Sequence, residues 1–96
     1  MLEPDFLRAV RLRIRKARLK KGLSQEETSE LVGIPLRTYQ ILESEHAKHT
    51  NPSLETIMQV SSKLEIPVGK LLAVPSTKEQ NERFPTEKRP RKGSTH

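Results

Sequence analysis

The chain has 96 residues, 32% of them hydrophobic, a formal charge of +6 and no cysteine. One small domain is expected, with a mostly aliphatic core, because only Phe6, Tyr39 and Phe84 are aromatic. Disulfides and Cys-ligated zinc are excluded, no apolar run approaches the ~20 residues of a bilayer span, and Met1-Leu2-Glu3-Pro4-Asp5 lacks the basic and apolar regions of a signal peptide, so a cytosolic protein is expected.

The first helix is predicted over about Pro4 to Lys21. Pro4 suits the first helical position, where a missing N–H costs nothing. Phe6, Leu7, Val10, Ile14 and Ala17 recur at three- and four-residue steps and make one apolar face. Arg8, Arg11, Arg15 and Arg18 lie beside or opposite it. Residues 1–22 hold eight Lys/Arg against two acids, residues 23–74 four against seven, and residues 75–96 six against three. A basic first helix and a basic tail thus flank a slightly acidic middle, an asymmetry that suits a polyanion partner. The plainer reading of such a charge run is a solvated face. Gly22 ends the helix in a left-handed position.

Ser24 caps a second, short helix, and with Glu27 it forms the S-x-x-E capping box. This helix lasts until about Val32, because Gly33 supplies a left-handed turn. Pro35 keeps Ile34 out of the helical region and starts a third helix, over about Pro35 to Ser44, with Thr38, Tyr39 and Leu42 inward. Residues 24–44 therefore have the spacing of a helix-turn-helix, a motif that puts a helix into the major groove of DNA.

A polar loop follows at residues 45–51. Asn51-Pro52 signals the start of a fourth helix, as cap and first residue, with Leu54, Ile57, Val60, Ser61 and Leu64 on one face. Ile66-Pro67 breaks the chain, and a fifth short helix covers about Val68 to Ala73. From Pro75 the chain is rich in Pro, Lys, Glu, Ser and Thr and is expected to be disordered. The domain is thus expected at residues 1–74 and a disordered basic tail at residues 75–96.

Ile14-Arg15-Lys16-Ala17-Arg18, Gly22-Leu23-Ser24-Gln25-Glu26-Glu27, Gly33-Ile34, Arg37-Thr38 and Leu42-Glu43 occur in that order. Asn51-Pro52-Ser53-Leu54-Glu55-Thr56-Ile57, Leu64-Glu65-Ile66-Pro67 and Leu71-Leu72 continue the series. Over about two-thirds of the chain this pattern resembles the lambda-repressor-like, Cro/C1-type helix-turn-helix domain of the XRE family. The resemblance implies an all-α, compact five-helix fold and sequence-specific binding of double-stranded DNA. It also implies a repressor-type transcriptional regulator, a homodimer on two-fold operators, and a bacterial, phage or plasmid origin. The chain departs from the family at Thr28-Ser29, where Leu-Ala is usual, and in a longer loop that lacks a Gly near Glu45.

By position, Leu36, Arg37, Gln40, Ile41 and Ser44 match the family's base-facing residues. Gln25, at the start of the second helix, and Lys48, in the loop, join them as DNA contacts. Arg37 can pair with guanine O6/N7 and Gln40 with adenine N6/N7, while Leu36 and Ile41 offer apolar contact, for example to a thymine methyl. A helix N-terminus favours an anion, so Gln25 is placed to donate to a phosphate oxygen or to a neighbouring side chain, with the phosphate favoured in this frame. The Arg and Glu of the family that match Arg18 and Glu43 pair across helices one and three, which makes these two a structural pair. Tyr39 stands at an aliphatic core position of the family, its hydroxyl reaching toward the surface. Gln25, Arg37 and Gln40 are then the polar side chains left free to meet DNA.

Other readings remain open at this point. Arg37 can simply neutralise phosphate. Leu36 and Ile41 can mark a protein-binding surface, which would make the chain an interaction module, such as an antitoxin or adaptor, on the same fold. His46 and His49 read as solvated loop side chains and not as metal ligands. No nucleophile–base set and no Gly-rich phosphate loop is present, so no enzyme, cofactor or small-molecule ligand is expected. Lys88-Arg89-Pro90-Arg91-Lys92 is either an inert tail or a basic arm on DNA. Val68, Leu71, Leu72 and Val74 either form the dimer face or close the core.

Overall fold

The computed structural model describes residues 4–46 and 51–86, and these contain helices, turns and loops with no strand among them. Helix α1 spans Pro4–Lys20, α2 Gln25–Val32, α3 Leu36–Leu42, α4 Leu54–Lys63, α5 Val68–Leu71 and α6 Thr77–Gln80. Gly22 and Gly33 take φ values of 72° and 86°, so both turns use the left-handed backbone that glycine adopts without a Cβ penalty. The Gly33 N–H donates to the Ser29 carbonyl at 2.8 Å and closes α2.

The capping box at α2 is complete. Ser24 Oγ accepts from the Glu27 N–H at 3.0 Å, and the Glu27 carboxylate accepts from the Ser24 N–H at 2.8 Å. Thr28, at a position where the family has an aliphatic residue, is fully buried and donates its hydroxyl to the Ser24 carbonyl at 2.8 Å. A hydroxyl with a partner can occupy a core position without leaving a polar group unsatisfied.

Helix α3 begins one residue later than expected, because Pro35 stays extended and acts as the N-cap. Tyr39 and Leu42 point inward, but Thr38 is exposed. Helix α4 also starts later than Asn51-Pro52 suggested. Ser53 is its cap, accepting from the Thr56 N–H at 3.1 Å, and Leu54 lies outward, 71% exposed. A serine that reaches the third N–H outcompetes an asparagine two residues upstream.

The core joins Val10 and Ile14 of α1 to Val32, Tyr39 and Leu42 of the helix-turn-helix, and to Ile57, Val60, Leu64 and Leu71. Leu71 is fully buried, and Val68 and Leu72 pack against this cluster. The fifth helix therefore closes the core instead of offering an apolar face, and Val74, just past it, is the exposed member of the four.

Residues 75–86 correct the expectation of disorder. Ser76 caps α6, accepting from the Glu79 N–H at 3.1 Å, α6 packs on α1, and Phe84 is buried. This strap lies over the second face of α1, where Arg8, Ala9, Leu12, Arg13 and Lys16 gather at helical spacing. Leu12 and Ala9 are buried although they face away from the Val10–Ile14 stripe. The described residues thus contain six helices, not five, and α1 is covered on two sides.

Candidate nucleic-acid interface

Most of the arginines of α1 are engaged within the protein. Arg11, buried, donates through Nη1 to the carbonyls of Ile41 and Leu42, the second at 3.3 Å. Burial pulls its guanidinium below the ordinary value. Arg13 donates to the carbonyls of Leu71 and Ala73 at 2.8 and 2.7 Å and grips the Glu79 carboxylate with two bonds of 2.6 and 2.7 Å. Arg8 reaches the carbonyls of Gln80 and Glu82 and the carboxylate of Glu45. Lys16 pairs with Glu82 at 2.8 Å. The last carbonyls of a helix lack intrahelical donors and carry its negative dipole end, so these arginines fasten the C-terminal ends of α3, α5 and α6 to α1. Much of the positive charge of the first helix is thus spent inside the protein, while Lys16 and Lys20 stay exposed.

Glu43 follows α3 and is the hub of a second network. Arg18 Nε and Nη2 donate to its two oxygens, each at 2.8 Å, and both side chains are buried. Arg18 Nη1 also donates to the Leu23 carbonyl at 2.7 Å, tying the turn before α2 to the same point. Arg15 approaches from the side, with Nε 3.8 Å from Glu43 Oε1. Tyr39 is fully buried beside the pair, and its hydroxyl, expected near the surface, has no hydrogen-bond partner among the described residues. Burial, reinforced by the Glu43 charge, pushes its phenol far above the usual range.

Gln25 and Gln40 are engaged, which corrects the expectation that both stand free. Gln25 Nε2 donates to Glu43 Oε1 at 2.9 Å, and Gln40 Nε2 donates to Gln25 Oε1 at 3.3 Å. A carboxylate only accepts, so Gln25 must turn its amino end to Glu43 and its oxygen to Gln40. Gln40 must then turn its amino end inward, which leaves its oxygen and one N–H unbonded within the described residues.

Among the remaining predicted contacts, Arg37 is exposed in the first turn of α3 and has no ion pair or hydrogen bond among the described residues. Leu36 and Ile41 are half-buried on the same short helix. Ser44 follows it, partly buried, its N–H donating to the Ile41 carbonyl at 3.2 Å. Lys48, like His49 and the basic run at residues 88–92, lies outside the described residues. His46 is exposed, and no cluster of His, Cys, Asp or Glu able to hold a metal occurs among the described residues. No helix among them is long and apolar enough to cross a membrane.

Sequence reasoning missed Arg11, Arg13 and Arg15 as internal partners. Their spacing of two residues alternates around a helix, and nothing local announces an acceptor 30 or 66 residues away. The one available signal was Leu12, an aliphatic residue on the supposedly solvated face.

The arrangement is a short helix whose C-terminal end is held by Arg11, with one guanidinium unpartnered among the described residues and one oriented amide on it. Residues 14–71 match the sequence model of a family described as Helix-turn-helix. No curated protein and no solved structure matches the chain.

Proposed function

The chain belongs to the Cro/C1-type helix-turn-helix family, whose members bind DNA and are not enzymes, and we propose that it is a repressor-type transcriptional regulator reading double-stranded DNA with α3 in the major groove. The observation that carries this reading is Arg37, exposed on α3 without a partner among the described residues, beside an amide network that presents Gln40. Arg37 is suited to guanine O6/N7, and the oxygen and remaining N–H of Gln40 match the N6/N7 edge of adenine. Leu36 and Ile41 supply apolar contact, Ser44 and Lys48 flank the groove, and Gln25 offers its second N–H to a phosphate at the start of α2. The protein would act in the cytoplasm as a homodimer on two half-sites about one helical turn apart.

A protein-interaction module on the same fold is favoured by one observation. Residues 24–44 carry a single cation against four acids. A fluorescence titration against mixed-sequence duplex over a salt series separates the two readings. A DNA binder loses affinity log-linearly with salt, and selection from a random duplex library should enrich a two-fold site. Absence of binding at low salt together with no enriched sequence would sink the regulator.

A further inference from the structure

The helix-turn-helix segment is short of positive charge. Over residues 24–44, Arg37 stands against Glu26, Glu27, Glu30 and Glu43. Affinity for a duplex follows the number of phosphates that a protein neutralises, and α1 is the nearest source of further cations. Its Arg8, Arg13, Lys16 and Arg18 are bonded to Glu45, Glu79, Glu82 and Glu43, and Arg11 to main-chain carbonyls. Arg15, half-buried, and Lys20, exposed, have no hydrogen bond among the described residues. Helix geometry separates these two, because residues three or four apart share a face. Arg15 lies four residues after Arg11 and three before Arg18, whose acceptors include Ile41, Leu42 and Glu43 at the C-terminal end of α3. Lys20 lies four residues after Lys16, whose acceptor Glu82 is on the strap. Arg15 is therefore the available cation of α1 on the side of the helix-turn-helix.

At Glu43 its geometry is incomplete. Arg15 Nε is buried and 3.8 Å from Glu43 Oε1, beyond hydrogen-bond reach, and it has no hydrogen-bond partner among the described residues. Glu43 is already served by others. Its Oε2 accepts from Arg18 Nε, and its Oε1 from Arg18 Nη2 and Gln25 Nε2. A guanidinium carries five N–H donors in a fixed fork, so Arg15 has donors left for a second acceptor. Gln25, which shares Oε1 with it, begins α2, and the Gln25 oxygen accepts from Gln40 of α3. A series of donors thus runs from α1 to α3: Arg15, Gln25, Gln40 and, one turn back on α3, Arg37. Arg15 stands at the opposite end of this series from Arg37.

We propose that Arg15 is a phosphate contact of the DNA interface, supplied by α1, and that it neutralises a backbone phosphate beside Gln25 when α3 lies in the groove. This rests on the DNA-binding reading of α3. Phosphate contacts set affinity and salt dependence, while base contacts set preference, so Arg15 and Arg37 have separable roles.

The full chain is compared with Arg15→Gln, Arg15→Lys and Lys20→Gln, each titrated over a salt series against a fluorescein-labelled duplex of mixed sequence. Arg18 and Gln25 still hold Glu43 in all three variants, so the fold is kept. In Arg15→Gln the slope of log K against log salt should fall by about 0.9 for each contact removed. Between 50 and 200 mM salt, that variant then loses roughly three- to fourfold less affinity per contact than the unaltered chain. Arg15→Lys should keep the slope, because an ammonium serves a phosphate as a point charge. Lys20→Gln removes the same charge from the other face and should also keep it. The sequence enriched from a random library should be the same for the unaltered chain and Arg15→Gln. An unchanged slope in Arg15→Gln would make Arg15 a buttress of Glu43 and overturn the proposal, while leaving the α3 reading intact. Equal falls in Arg15→Gln and Lys20→Gln would also overturn it, since net charge and not position would then be acting. If the unaltered chain failed to bind at low salt, the α3 reading would fall, and this proposal with it.

Discussion

Arg18 and Glu43 are each almost fully buried and each satisfies the other, so the informative experiment is to remove one of them. Arg18→Ala would strand the Glu43 carboxylate with Gln25 as its remaining hydrogen-bond donor and Arg15 at 3.8 Å. Breaking such a pair from one side costs about 3–5 kcal/mol, because the survivor keeps its desolvation penalty. Urea denaturation should show that loss, and Arg18→Lys should not restore it, since an ammonium cannot make two parallel bonds to one carboxylate. Arg37 behaves in the opposite way. It is exposed and bonded to nothing among the described residues, so Arg37→Ala should leave the melting temperature unchanged. In DNA binding the same substitution should cost about 1–3 kcal/mol and relax the choice of one base pair in a selection. The candidacy of both residues is legible in the sequence through the family resemblance, because each matches a position of that family's pattern. The engagement of Gln25 by Glu43 is not, since it depends on how α1, α2 and α3 converge.

Between α1 and the strap, Arg13–Glu79 and Lys16–Glu82 are ion pairs, and pH is the direct way to examine such contacts. The Arg13 guanidinium beside Glu79 holds that carboxyl below the usual carboxylate range, and Arg8 does the same for Glu45. A carboxyl whose folded value is lowered adds stability that is fully present above its unfolded value, near 4.5. That contribution disappears as pH falls through the lowered folded value. Melting temperature should therefore drop on acidification below about pH 4.5, and a Glu79→Gln variant should drop less over the same window, having already lost the contribution at neutral pH. An equal drop in both proteins would mean that the Arg13–Glu79 contact adds nothing to the fold. The capping box and the glycine turns were readable because they join residues three or four apart. The start of α4 was misplaced, because two capping candidates two residues apart, Asn51 and Ser53, differ only in which side chain reaches the third N–H.

For the molecule as a whole, the strap decides where the folded unit ends. Cutting the chain after Val74 would leave Arg8 and Arg13 without their acceptors on α6 and beyond, and would expose the α1 face carrying Ala9 and Leu12. Loss of the buried Phe84 side chain by itself is worth about 3 kcal/mol or more. The cut chain should therefore unfold at distinctly lower urea than the full chain, and equal midpoints would return the boundary to residue 74. The sequence by itself determined the all-α class, the helix-turn-helix and the core stripe through Val10, Ile14, Ile57 and Val60. These follow from spacing along one helix or across one turn, where each residue's neighbours are set by the backbone geometry. Only the tertiary structure decided what the basic first helix does. An arginine side chain is long and carries its donors at the far end, so its partner depends on which distant carbonyl or carboxylate the fold brings alongside. The same convergence turned the two glutamines and recruited residues 75–86 into the fold.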